Sequence, residues 1–266
     1  MNRRALAVTV HDPEERLLSR LDPGLPELST LYSRLCAACS GATSRRSLSA
    51  LESAGFDVRV SGSAGVGESR RIAVSGVISD PSVAWVHYAD FDRLLHWQST
   101  FPAELRDVLA YRPQADYVAL GRTPRALQTH PPVQILVETL TNEAFSALVG
   151  LESPADLVAG SCLISRRGAE LLMQLSVENT NATDLEWPAL ILRETGTMPE
   201  FRAVEGLEFE TADYYLPEIE EAGSRSAWIS DAYNRPEVWV TRTQLALDSM
   251  AALGRVLGLQ KRPARR

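Results

Sequence analysis

The chain has 266 residues, 45% hydrophobic and 23% charged, with a formal net charge of −7 at pH 7. That length allows one large domain or two small ones, with enough apolar surface for a full core. The negative balance argues against general nucleic-acid binding, which needs a basic surface to displace counterions. No run approaches the roughly 20 apolar residues of a membrane span.

From the N-terminus, Arg3 and Arg4 precede a short apolar run at 5–10 that ends in His11-Asp12-Pro13. The run is too short for a signal-peptide core, so the cytoplasm is the expected location. It reads instead as a first, fully buried strand. Leu28, Leu31, Tyr32 and Leu35 fall at i, i+3, i+4 and i+7, the mark of an amphipathic helix, with Gly41 just past its end. Cys36-Ala37-Ala38-Cys39 has redox or zinc spacing, but no further zinc ligands or thioredoxin-like context accompany it. These cysteines read as free thiols embedded in that helix, and the odd total of three gives no disulfide framework.

A short helix at 47–54 leads through Gly55 into a strand at 56–60. The run Ser61-Gly62-Ser63-Ala64-Gly65-Val66-Gly67 is a loop by composition, and a helix follows at 68–77. After Asp80-Pro81, the apolar run 83–88 is a strand that delivers Asp90-Phe91-Asp92. Further on, the pattern gives a helix before Pro113, a strand at 116–120, a helix at 131–148, a strand at 157–164 and a helix at 168–175. Such alternation predicts an α/β layer with a mostly parallel sheet flanked by helices. Residues 1–200 form that layer. From Phe201 the pattern turns irregular and strand-rich before a last helix at 244–257, which suggests a C-terminal extension, 201–266, packed on the same core. The terminal Lys261-Arg262-Pro263-Ala264-Arg265-Arg266 reads as a solvated basic tail.

Asp90-Phe91-Asp92 is the most informative motif. In an extended segment the two carboxylates point the same way, roughly 6–7 Å apart. At the end of a buried strand they suit a hard divalent cation, which takes oxygen ligands from one or two carboxylates and from substrate phosphates. Upstream, Gly65-Val66-Gly67-Glu68-Ser69-Arg70-Arg71 puts glycines and guanidiniums at a helix start, a combination that favours a phosphate. Downstream, Thr183-Asp184-Leu185-Glu186 fits a capping box, and either Asp184 or Glu186 could serve as a general base. His87, inside an apolar run, reads as a hydrogen-bonded core histidine. His96-Trp97 could wall a sugar pocket or simply pack. Arg122 and Arg125 read as solvated charges, and His130-Pro131-Pro132 as a helix entry.

Order and spacing of these pieces resemble a glycosyltransferase of the GT-A fold, a nucleotide-diphospho-sugar transferase, over roughly residues 4–195. The resemblance implies that Asp90 and Asp92 hold Mg²⁺ or Mn²⁺ on the diphosphate of a nucleotide sugar, with Asp213 as a third ligand. It implies Asp12 near the base, Gly65, Gly67 and Arg71 near the base or phosphates, and Asp184 or Glu186 deprotonating an unidentified acceptor. A catalytically inactive GT-A-like binding or structural protein is the alternative. A haloacid-dehalogenase-like phosphohydrolase fits less well, because that family places its acid pair after the first strand.

Overall fold

β1 (Arg4–Val10) is apolar on both faces because it has a strand on either side and helices above and below. A computed structural model of the chain describes residues 4–62 and 65–259, without the side chains of 22–26. After β1 come α1 (Leu18–Leu31), β2 (Arg34–Cys39), α2 (Arg45–Ser53), β3 (Asp57–Val60), α3 (Val66–Ile78) and β4 (Trp85–Asp90). Next are α4 (Phe91–Thr100), α5 (Pro102–Ala110), β5 (Tyr117–Arg122), α6 (Pro124–Gln128), α7 (Pro132–Val149), β6 (Ser161–Ser165) and α8 (Arg166–Leu175). The chain then runs through α9 (Thr183–Thr195), β7 (Glu200–Val204), a 3-10 turn (Thr211–Tyr214), α10 (Leu216–Glu221), α11 (Arg225–Tyr233) and α12 (Pro236–Val256).

The strands form one sheet in the order β3-β2-β1-β4-β6-β5-β7. Its pairings are parallel except around β6, which runs antiparallel to both β4 and β5. Alternation along β1 divides the core into two layers. Leu6, Val8 and Val10 pack with Leu21, Leu94 and Trp97 on one face, whereas Ala5 and Ala7 meet Val74, Tyr88 and Leu253 on the other. α12 lies against both α7 and α9, so the C-terminal segment covers the second layer. No helix among the described residues is long and apolar enough to cross a membrane.

Three expectations are corrected. The helix expected through Leu35 ends at Leu31, and Cys36 and Cys39 lie buried in β2, as free thiols. Leu28, Tyr32 and Leu35 do share one core layer, but by a helix end and a following strand together. The Leu-Cys-Ala-Ala-Cys run lacks the β-branched and aromatic residues that announce a strand. Residues 201–259 are mainly helical rather than strand-rich, with β7 alone joining the sheet. Finally, the residues after Asp90 turn at once into α4, whose Leu94, Leu95 and Trp97 are core.

Candidate functional site

β1 is bonded to β2 on one side and, after a long excursion, to β4 on the other. A crevice opens outside the carboxyl ends of strands at such a reversal of order. Here it is a cleft of about 710 Å³. It is lined by His11, Ser40 and Gly41, beyond β1 and β2, by Asp90, Asp92 and Arg93 at the β4–α4 corner, and by Gln134, Glu210 and Arg242 from later in the chain.

Asp90 closes β4 opposite Thr9 of β1. Its Oδ1 accepts from the Tyr88 hydroxyl at 2.6 Å, from Thr9 Oγ1 at 3.3 Å and from Arg70 Nη2 at 3.4 Å. The other oxygen lies against Gly160, at φ +67°, where an added Cβ would come within 2.3 Å of it. A side chain at 160 is excluded twice, by backbone conformation and by the carboxylate. Asp92 sits in the first turn of α4, its Oδ1 accepting from the Arg93 N–H at 2.9 Å. The pair therefore straddles a strand-to-helix corner rather than an extended run. Burial, with Glu210 and Asp90 close by, pushes the Asp92 carboxyl up to about 7. Arg93 Nε stands 3.9 Å from Asp90 Oδ2 and 3.7 Å from Glu210 Oε1, and Arg93 Nη1 donates to the Ala159 carbonyl at 2.6 Å.

A buried guanidinium links this corner to α9. Arg70 ion-pairs with Asp184, donates to Thr183 Oγ1 at 2.8 Å, and stacks over the Tyr88 ring at 5.1 Å. Burial raises the Asp184 carboxyl to about 6 in spite of the Arg70 charge. Asp184 lines a small side cavity that shares Asp90, Arg93 and Arg242 with the main cleft.

The donor set fits a divalent cation bound partly by substrate. Asp90, Asp92 and Glu210 crowd negative charge, and Glu210 Oε2 is buried without a hydrogen-bond partner among the described residues. Among those residues no three His, Cys, Asp or Glu side chains converge as a closed metal site. Two carboxylates with the remaining positions left to phosphate and water is the ordinary arrangement for such ions.

The sequence matches no family model and no curated protein. Solved structures do match. Glucosyl-3-phosphoglycerate synthase of Mycobacterium tuberculosis aligns with a TM-score of 0.55 at 15% identity, covering 98% of this chain and 82% of that one. Its complex with uridine diphosphate aligns at 0.54 and 13% identity, over 98% and 82% of the two chains. Its complex with Mn²⁺, UDP-glucose and glycerol 3-phosphate aligns at 0.54 and 14% identity, again over 98% and 82%. The fold is GT-A.

In this GT-A chain several expected residues lie elsewhere than the site. Arg71 turns away from the cleft, donating to the Glu178 carbonyl, to Ser176 Oγ at 3.3 Å and to Asn179 Oδ1 at 2.6 Å. Its neighbour Arg70 takes the place next to the acids. Gly65 borders the cleft, but Gly65 and Gly67 are required by close packing: an added Cβ would meet the 178–179 backbone at 2.1 and 2.2 Å. Asp12 is buried, accepting from Ser47 Oγ at 2.6 Å and the Leu17 N–H at 3.3 Å, so it fixes the loop whose neighbour His11 faces the cleft.

Glu186 is likewise buried, and it accepts from Ser176 Oγ at 2.5 Å and from the Val177 and Glu178 N–H groups at 3.1 Å each. It ties down the α8–α9 loop and forms no capping box, since Thr183 makes no side-chain cap and α9 is capped at Ala182. Asp213 pairs with His96 Nδ1 at 2.6 Å and Arg20 at 3.1 Å, outside the cleft lining; Glu210 is the C-terminal acid that reaches the pair.

The lesser candidates resolve as packing. His87 bonds Tyr32 and Ser161 at 2.6 and 3.0 Å, and burial drives it down to about 3, so it stays neutral. His96 sits between Asp213 and Glu208, and Trp97 is core. Arg122, expected in solvent, is buried between Glu138 and Asp156 at 2.6 and 2.7 Å. Only Arg125 is exposed, paired with Glu205 and Glu208.

Proposed function

We propose that the chain is a metal-dependent glycosyltransferase that moves a sugar from a nucleotide-diphosphate donor to an acceptor. The observation that carries this reading is the Asp90–Asp92 corner, set at the switch point of a GT-A sheet and opening into a cleft of about 710 Å³. The nucleoside would lie at the His11–Ser40 end, where β1 and β2 finish. Asp90 and Asp92 would hold Mg²⁺ or Mn²⁺, which would neutralise charge on the departing diphosphate. The Thr9, Tyr88 and Arg70 bonds aim one Asp90 oxygen and leave the other toward Gly160. Asp184 would take the acceptor's proton. A carboxyl raised to about 6 is close to the pKa a general base needs at neutral pH, and Arg70 holds it in place.

Binding without turnover is the competing reading, favoured by the tight Arg70–Asp184 pair, which an acceptor must share. Thermal unfolding of the purified chain with UDP-glucose and other nucleotide sugars, with and without Mn²⁺, tests the donor. A ligand held by the folded state raises stability by mass action, about 2.7 kcal/mol at a hundred times its Kd. The expected result is a Mn²⁺-dependent shift for one donor, lost in Asp90→Asn, together with transfer or slow donor hydrolysis. A shift with neither reaction across a broad acceptor panel would favour the binding protein. No shift with any donor would remove the nucleotide sugar from the site.

A further inference from the structure

Gln134 stands in the first turn of α7, 2% exposed, and lines the cleft one helical turn before Glu138, which lines the side cavity of Asp184. A carboxamide that buried is normally hydrogen-bonded, because an unpaired amide away from water is costly. The Gln134 side chain makes no hydrogen bond among the described residues, yet its amide atoms are not sealed in and the residue lines the cleft. Glu210 and Arg242 line the same cleft, the latter 3.7 Å from Glu138. Arg93 and Arg242 also line the side cavity that holds Asp184.

We propose that Gln134 reads a hydroxyl group of the acceptor next to the one that reacts. The inference rests on the glycosyl-transfer reading above and deepens it. An amide both donates and accepts, which matches a hydroxyl, a group that does both. An anion would use only the NH₂ half of the amide. Position assigns the hydroxyl to the acceptor rather than to the nucleoside. Gln134 lines the cleft from the helix whose next turns, at Val137, Glu138 and Thr141, line the cavity of Asp184, whose proposed role acts on the acceptor.

The test is acceptor discrimination by the full-length chain, with UDP-glucose and Mn²⁺ as donor and metal. Acceptors come as pairs that differ by one neighbouring hydroxyl: glycerol and 1,2-propanediol, glycerate and lactate, glucose and 2-deoxyglucose. A site that hydrogen-bonds a hydroxyl rejects the analogue lacking it steeply, by up to about 10⁴–10⁵ in kcat/KM. The parent is expected to favour the hydroxylated member of at least one pair by more than about tenfold. Gln134→Ala should reduce that preference to within about threefold by losing the better substrate, leaving the poorer one little changed. Gln134→Met, of similar length and apolar, should do the same while preserving packing. Donor Kd, measured by calorimetry without acceptor, should stay within about threefold, since one lost contact to an acceptor does not enter it.

Discrimination that survives both substitutions, or is absent from the parent, overturns the assignment of Gln134. A weakening of donor binding that matches the loss of transfer would move the residue to the donor site and overturn it equally. A parent that binds no nucleotide sugar in the presence of Mn²⁺ overturns the glycosyl-transfer reading itself, a result the first two outcomes cannot produce.

Discussion

Two acidic pairs with the same spacing meet opposite fates in this chain. Asp90 and Asp92 flank a phenylalanine, Asp184 and Glu186 a leucine, and each pair lies at the start of a helix. The first pair spans the end of β4 and the first turn of α4, and both carboxylates border the cleft. The second lies wholly within α9, where residues two apart diverge by about 200°. Asp184 accordingly meets Arg70, and Glu186 meets the loop before its own helix. Spacing in sequence is therefore no guide to shared function until the backbone between the two residues is known.

The sharpest way to break the comparison is Asp184→Asn. A general base contributes about 10²–10⁴-fold to turnover, so transfer should fall by that factor with donor and Mn²⁺ affinity retained. Equal kcat in parent and variant would leave Asp184 as nothing more than the partner of Arg70.

Glu186→Gln should do the reverse. One oxygen accepts two backbone N–H groups and the other the Ser176 hydroxyl, so the amide spoils part of a buried network. Stability should drop by about 1–3 kcal/mol in urea unfolding, with unchanged turnover per folded molecule. A loss of kcat at full stability would return Glu186 to the reaction.

The smallest effect concerns Asp92 and pH. The folded chain holds Asp92 protonated to about 7, whereas the unfolded chain releases that proton near 3.8. Between those values the native state binds more protons, so this group's contribution is full below the lower value and fades as pH rises to the upper one. In Asp92→Asn the fading is gone. The metal-free variant should match the parent near pH 4 and melt about 2–6 °C higher at pH 7.5. Coincident melting curves at both pH values would show that burial and the neighbouring Glu210 and Asp90 do not raise the Asp92 carboxyl.

Much of the sheet was legible. Runs such as 5–10 and 83–88 are apolar and bounded by turn residues, as strands buried on both faces are. β2 was not, because small side chains suffice between two packed layers and leave no strand signature. The choice between Arg70 and Arg71 was legible but missed. Arg70 shares its helix face with Ala73, Val74 and Val77, all buried, so the periodicity already turned it inward. No local pattern marks Glu210 or Gln134. They join the acid pair in one cleft through the tertiary packing of the 3-10 segment and α7, which leaves no trace in neighbouring residues.

The antiparallel strand β6 has a kinetic consequence. It alone joins β4 to β5 and β7, and it brings Gly160 to the flank of Asp90. Parallel pairing of β1 with β2 and β4, and of β2 with β3, can proceed as the first third of the chain emerges, but the other edge of β4 must wait for β6 some seventy residues further on. Closing so wide a loop costs entropy that only later contacts return, and non-local pairings of this kind slow folding. The β6 side of the acid corner is thus set later than its β1 side. A nascent chain released before β6 would offer Asp90 its Thr9, Tyr88 and Arg70 partners but leave its second oxygen without the Gly160 flank.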